Sequence, residues 1–302
     1  MKAVIDLGTN TFQLLIAEIA DDKIHEHYEL QIPVKIGKGG INNNYINDEA
    51  FVRGIAALSE FKKQITLYAV SEVKLLATSA IRNATNGKKF ADEIARQFGF
   101  SITTILGSVE AEYIYKGVFH SFQFPDTPVL VLDIGGGSVE TSIGIKEKIL
   151  WKQSFEIGAA RLLEKFHLSD PISNYDIEQL NLYLEEKLIP LFEAVKVFQP
   201  NVLIGSAGSF ETLVDVVIKD FAVIPKKYSN QASEISIDDF EAFVELMKTS
   251  TIAQRSCLKG MTDFRVDMIT VSALLMQYIV HRSSISQIIC SNYSLKEGVL
   301  FT

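Results

Sequence analysis

The sequence predicts an α/β protein built from two similar halves around a shared cleft, and three observations lead there. The first is a repeat. Ala3–Gly8 reads A-V-I-D-L-G and passes through Thr9, Asn10 and Thr11 into the apolar run Phe12–Ile19, while Val129–Ile145 reads V-L-V-L-D-I-G-G-G-S-V-E-T-S-I-G-I. Aligned on Asp6 and Asp133, both are apolar strand, Asp, Leu or Ile, Gly, small polar residues, apolar strand. One copy per half is the mark of a duplicated fold with its ligand between the halves. The second observation is the alternation of short β-branched runs with longer segments of helical period, which indicates layered α/β architecture. The third is length, because 302 residues accommodate two domains. The proline-bracketed stretch Phe124-Pro125-Asp126-Thr127-Pro128 marks their boundary. The expected domains are 1–124 and 125–302, with the terminal helix able to pack back on the first.

Taken in order, Ala3–Leu7 and Phe12–Ile19 are strands, and the alternation over Lys23–Ile36 adds a third to make a small antiparallel set. Gly37–Gly40 and Asn42–Asn44 form a flexible loop. Asn47 or Asp48 caps a helix over Glu49–Gln64, with Phe51, Ile55, Leu58 and Phe61 on one face. Val73–Thr78 is a strand leading into Ser79–Arg82; Asn86 opens a helix carrying Phe90, Ile94 and Phe98; Phe100–Leu106 is the next strand. Gly107-Ser108 leads into a helix beginning Val109-Glu110-Ala111-Glu112. In the second half, Val129–Leu132 is a buried strand and Lys148–Ile157 another, and Gly158–Arg161 starts a helix. Ser173 or Asn174 caps one long helix to about Val197, and Asn201–Ile204 is a strand. Pro225–Ser233 is a polar surface loop, and Ser236 with Asp239 resembles a capping box for a helix through Met247. Met261–Arg282 reads as mostly one helix, Gln287–Cys290 as the last strand, and Ser294–Leu300 as a terminal helix.

Composition narrows the function. Hydrophobic residues at 47% and charged residues at 22% describe a folded globular chain rather than a disordered one. Cys257 and Cys290 are too few for a disulfide scaffold or a cysteine zinc site, and the five histidines show no metal-ligand spacing. There is no signal-peptide pattern and no apolar run of membrane-spanning length, so the expected compartment is the cytoplasm, without a membrane partner. The net charge of −8 argues against nucleic acid as a partner. A polyanionic substrate would then need local compensation from backbone N–H groups, a few arginines and Mg²⁺.

The residues suited to chemistry are specific. Gly135, Gly136 and Gly137 let a ligand approach the main chain, and their N–H groups with the Ser138 hydroxyl can form a nest for phosphate oxygens. Asp133 and Glu140 cannot themselves favour phosphate, so they make sense holding a cation or a water that meets it. Gly205-Ser206-Ala207-Gly208-Ser209 lies between a strand and a helix, where free N–H groups and the helix dipole favour an anion; a plain tight turn is the competing reading. Glu110, at a helix start just past a strand, is a candidate general base, although such a residue alone more often complements the helix dipole. Arg82 can clamp phosphate with its planar fork. Arg161 occupies a first helical turn that disfavours a cation, which suggests an anionic partner. The chain has no G-x-x-x-x-G-K-[ST] motif and no G-x-S-x-G elbow, so neither a P-loop enzyme nor a serine hydrolase is indicated.

Together these residues resemble the exopolyphosphatase / guanosine pentaphosphate phosphohydrolase family, within the actin–hexokinase–chaperone ATPase superfamily. Asp6-Leu7-Gly8-Thr9-Asn10-Thr11 resembles its first phosphate motif, Asp133–Glu140 its second, and Gly205–Ser209 its later glycine loop. Thr78–Arg82, Gly107–Ala111, Gly158–Leu162 and Leu295–Leu300 also resemble family segments, so the likeness runs through nearly the whole chain. The resemblance implies a duplicated actin/hexokinase-like (ribonuclease H-like) fold, Mg²⁺ as cofactor, polyphosphate or guanosine pentaphosphate as substrate, and a homodimer. It also implies that Glu110 activates the attacking water, while Asp133, Gly135 and Glu140 organise phosphate and metal. Val109 stands where relatives often carry an acid, and the chain lacks the C-terminal helical extension of long members. Short polyphosphates, cut distributively, are therefore the expected substrates. Alternatives are a guanosine pentaphosphate 5′-phosphohydrolase, a kinase or ATPase of the same superfamily, or a polyphosphate sensor without turnover.

Overall fold

The computed structural model describes residues 1–302. The first half contains β1 (Lys2–Leu7), β2 (Phe12–Ala20), β3 (Lys23–Ile32), α1 (Asp48–Leu67), β4 (Glu72–Ala77), α2 (Ser79–Asn83), α3 (Gly87–Phe98), β5 (Ile102–Thr104) and α4 (Gly107–Phe119). Its sheet has the order β3-β2-β1-β4-β5, with antiparallel hairpins on one side of β1 and parallel strands on the other. The second half begins with β6 (Val129–Ile134), β7 (Val139–Ile145), β8 (Lys148–Phe155), α5 (Ala159–Phe166), α6 (Asn174–Lys187), α7 (Ile189–Phe198), β9 (Val202–Ser206) and α8 (Ala207–Lys219). It continues with β10 (Lys226–Lys227), β11 (Ala232–Ile235), α9 (Ile237–Thr249), α10 (Ile252–Arg255), α11 (Ile269–Arg282), β12 (Gln287–Ser291) and α12 (Leu295–Leu300).

Stripped of the β10–β11 hairpin at its edge, the second sheet reads β8-β7-β6-β9-β12, the same winding as the first. The duplication holds at the level of single residues. Asp6 pairs across its hairpin with Gln13, and Asp133 pairs across the equivalent hairpin with Glu140. Because β1, β4 and β5 run parallel in one sheet and β6, β9 and β12 in the other, the carboxyl ends of each set lie on one edge, which is where α/β sheets bind ligands.

Most elements lie where periodicity places them, and the departures have local causes. Asn47 caps α1, its side-chain oxygen accepting from Ala50 N at 2.8 Å. Ser236 caps α9 in the same way, accepting from Asp239 N at 3.1 Å. The third strand stops at Ile32 because Pro33 has no N–H for the ladder. The long helix expected to reach Val197 is two helices broken at Leu188, since Pro190 cannot continue the hydrogen-bond ladder and instead opens α7. The stretch 225–233 is not all loop: Lys226–Lys227 pairs with Ser233–Glu234 and extends the sheet edge. Helix α11 begins only at Ile269, so 261–268 is a turn-rich segment rather than helix.

One apolar core lies on each sheet, and a third lies between them. The third core gathers Val4, Leu15 and Leu76 from the first sheet, Val129, Val131 and Ile204 from the second, and residues of α4 and α12. Helix α4 packs on β7, β8 and α12, and α12 reaches back onto β1. Two glycines allow this: a Cβ on Gly117 would meet Ser294 O at 2.1 Å, and one on Gly298 would meet Tyr113 O at 1.7 Å. Glycine is used here for close helix approach, not for an unusual dihedral. No helix is long and apolar enough to cross a membrane.

Candidate active site

The carboxyl ends of the parallel strands converge on one cleft. Its walls come from Asp6 and Gly8–Thr11 after β1, Thr78 after β4, Glu110 after β5, Asp133–Ser138 at β6, Ala207–Ser209 after β9, and Ser294–Lys296 after β12. Glu140 and Gln13, the hairpin partners of the two aspartates, also face it.

The triple-glycine loop owes its shape to the start of α5. Ala159 N donates to Gly135 O at 2.9 Å, Ala160 N to Gly136 O at 2.8 Å and Gly158 N to Gly137 O at 3.2 Å. With its carbonyls bound on that side, the loop has its peptide units fixed at the cleft edge. None of the three glycines has a positive φ, so the expected conformational reason for them is replaced by a steric one. A Cβ on Gly137 would stand 2.5 Å from Thr9 Oγ1 and 2.6 Å from Ser79 Oγ, both on the first half. The two phosphate-type loops meet there, and only glycine leaves room.

Four carboxylates share the buried floor. Burial pushes Glu110 up to about 7, against the hydrogen bond and charge of Arg82, and the Asp133 charge adds to the rise. Burial raises Glu140 well above its ordinary value, reinforced by the charges of Glu110 and Asp133. Asp133 is raised by burial although Ser294 and Ser206 donate to its Oδ2 at 2.6 and 2.7 Å. Burial raises Asp6 too, together with the Glu110 and Asp133 charges, and its Oδ1 has no protein donor.

A prediction follows from the sign of these shifts. A carboxyl whose folded pKa is raised keeps its proton in the folded chain after the unfolded chain has lost it, so stability falls as pH rises through that window. Glu140→Gln removes one such group while its amide oxygen can still accept from Ser154 Oγ, now 2.7 Å from Glu140 Oε1. In chelator, calorimetry at pH 6 and pH 8 should show a smaller loss of melting temperature for the variant than for the wild type. A variant that melts lower than wild type at pH 8 would mean that the carboxylate is satisfied as an anion.

Several expected ligands stand elsewhere. Arg82 does not line the cleft; its Nη1 donates to Glu110 Oε2 at 2.8 Å and to Ile105 O at 3.1 Å, and its Nη2 to Glu156 Oε1 at 3.0 Å. Arg161, expected to bind substrate, is buried behind the glycine loop. Its Nε donates to Gly137 O at 2.8 Å, its Nη1 to Ile41 O at 2.7 Å and its Nη2 to Glu156 Oε2 at 3.1 Å. It braces the loop against the first half, and its place in the first helical turn is answered by Glu156. Gly205 and Ser206 belong to β9: a Cβ on Gly205 would enter the Phe210 ring, and Ser206 Oγ is bonded to Asp133. Only Ala207, Gly208 and Ser209 of that expected loop face the cleft. Ala207 has φ +63°, a left-handed conformation that costs a non-glycine residue of order 1 kcal/mol, and α8 begins there with no side-chain cap.

Two cations in the walls were not anticipated. Arg265 lies over Gly208, where a Cβ would overlap its guanidinium; its Nη2 donates to Glu211 at 3.1 Å, and its buried Nη1 has no partner. Burial holds it below its ordinary value. Lys296 is buried between Glu297 at 2.9 Å and Glu29 at 3.2 Å, and those charges outweigh burial and raise it. Nothing in the sequence marks Arg265. Lys296 carries a faint signal, since Ser294 and Glu297 form a capping box that fixes the turn around it.

A sequence model of the Ppx/GppA phosphatase family matches residues 15–302. The chain is 28% identical over 315 residues to exopolyphosphatase 2 of Mycobacterium tuberculosis, covering 98% of this chain and 96% of that protein. It is 32% identical over 295 residues to a bifunctional 3-dehydroquinate synthase/phosphatase of Fusobacterium nucleatum, covering 93% of this chain but only 43% of that longer protein. The crystal structure of an exopolyphosphatase from Cytophaga hutchinsonii superposes with a TM-score of 0.95 at 38% identity, over 100% of this chain and 96% of that one. With a family match over nearly its whole length and the duplicated α/β winding around a cleft, this chain is a phosphohydrolase belonging to the Ppx/GppA phosphatase family.

Proposed function

We propose that the protein is an exopolyphosphatase, releasing the terminal phosphate of inorganic polyphosphate by attack of a water that Glu110 deprotonates. The observation that carries this reading is the buried Glu110 carboxylate, held by Arg82 in the floor of a cleft where two main-chain loops meet. Burial raises its proton affinity into the range useful for a general base near neutral pH. The lining favours an inorganic chain over a nucleotide, because 7 of its 28 residues are hydrophobic and none is aromatic, so no ring is there to stack on a base.

The donor set suits Mg²⁺. No three acidic or histidine side chains converge as a complete protein cage, yet Asp6 Oδ1 is an orphaned buried oxygen, and Asp133 and Glu140 lie in the same floor. Mg²⁺ commonly takes one or two carboxylates and completes its shell with water and substrate phosphate oxygens. Asp133 and Glu140 would hold it, and it would supply positive charge to phosphate oxygens in an otherwise acidic site.

The chain's own residues do the rest. The Gly135–Ser138 and Gly8–Thr11 loops and the start of α8 present donors to the phosphate oxygens, and the free Nη1 of Arg265 adds a charged one. Glu110 accepts the water proton as the new P–O bond forms; the bridging P–O bond breaks, and its electrons leave with the shortened chain. Phosphate release from polyphosphate, guanosine pentaphosphate and ATP, each with and without Mg²⁺, tests this reading. The expected result is fastest release from polyphosphate, abolished by chelator. Preferential hydrolysis of either nucleotide would replace the substrate, and no release from any of the three would remove the hydrolase reading of this site.

A further inference from the structure

We propose that Glu156 is a positioning residue for the base: it belongs to the second half of the chain and orients Arg82 of the first, so that Glu110 is held ready only while the halves adjoin. Glu156 follows β8 just before α5, does not line the cleft, and leaves 42% of its side chain exposed. Three donors nevertheless converge on it: Ser79 Oγ at 2.6 Å, Arg82 Nη2 at 3.0 Å and Arg161 Nη2 at 3.1 Å. Ser79 and Arg82 are on α2 of the first half, and Arg161 is on α5 of the second. Against burial, the hydrogen bonds of Ser79 and Arg82 and the Arg82 charge hold Glu156 below its ordinary value.

The consequence lies in the shape of a guanidinium. Its planar fork fits a single carboxylate through two parallel N–H···O bonds. Here the fork is divided, one arm on Glu156 and the other on Glu110. Glu110 therefore keeps an oxygen that Arg82 does not bind, and the Glu156 charge offsets part of the Arg82 charge felt by the base. Without Glu156 the fork can close on Glu110, binding both oxygens and lowering its affinity for the water proton. Because the dividing carboxylate comes from the other half, separation of the halves would have the same effect.

The inference rests on Glu110 acting as base, but the position of Arg82 can be read without turnover. Crystal structures of wild type and E156Q should show Arg82 swinging into a two-armed pair with Glu110 in the variant. Steady-state kinetics should show kcat lowered about 10–100-fold, the size of effect found for outer partners that orient metal ligands, with KM little changed because Glu156 does not touch the substrate. Glu156→Asp, which keeps the charge, should recover part of kcat. Asn42→Ala, which removes a contact between the halves (Asn42 Nδ2 to Glu164 Oε2, 2.9 Å) without touching Arg82 or Glu156, should stay near wild type. An Arg82 that keeps its place in E156Q, an unchanged kcat, or equal losses in E156Q and N42A would each overturn the proposal. If wild type itself released no phosphate, the functional reading would fall, while the position of Arg82 in the two structures would still decide this one.

Discussion

Glu110→Gln should lower kcat by roughly 10²–10⁴-fold, the contribution of a positioned general base. The amide keeps the shape of the side chain and can still accept from Arg82 Nη1, now 2.8 Å from Glu110 Oε2. What it cannot do is take a proton from water. Folding should survive, because the substitution removes a carboxyl that burial already holds above its ordinary value. The expected pattern is therefore a collapsed kcat, a KM close to wild type and a melting temperature equal to or above it. Phosphate release at the wild-type rate would reduce Glu110 to a partner of the α4 dipole.

Gly137→Val should be nearly as damaging, for a different reason. The new Cβ would stand 2.5 Å from Thr9 Oγ1 and 2.9 Å from Ser79 Cβ, so the two loops must separate by about an ångström to restore ordinary contact. A misplacement of that size at a reacting centre costs about 10²-fold in rate. Gly135→Ala provides the control, since its Cβ meets only Ser138 O at 3.1 Å and a small local adjustment absorbs it. Turnover measurements on both folded variants should separate them by at least about tenfold. Equal activities would mean that contact between the loops is not needed for chemistry.

The contrast between those glycines shows what a linear chain discloses. The run Gly135–Gly137 announces that backbone must meet something, yet which glycine is indispensable depends on Thr9 and Ser79, more than fifty residues away in sequence. The repeat around Asp6 and Asp133 was readable because strand, acid and glycine turn are local patterns, and the sheet order bears it out twice over. Glu110 was readable as a helix-start acid following a strand. Its burial, its Arg82 partner and its raised proton affinity were not.

One departure is local: Pro190 divides the helix before it by a rule legible in the sequence. Arg161 looked like an anion ligand because a cation in a first helical turn is unfavourable alone; its partners, Gly137 O, Ile41 O and Glu156, come from folding. Arg265 could not be nominated, because a single cation among 29 lysines and arginines carries no signal until folding delivers it to the cleft, and Lys296 is marked only by the capping box around it.

By itself the sequence determined the α/β class, the duplication, the two phosphate-type loops and the acids that flank them, all properties of spacing along one dimension. Tertiary structure decided which donors are spent on protein and which remain for a ligand. That distinction turns on burial and on bonds between residues far apart in the chain: Arg82 and Arg161 look alike in sequence to Arg265, yet only Arg265 reaches the cleft with a buried nitrogen still unpaired.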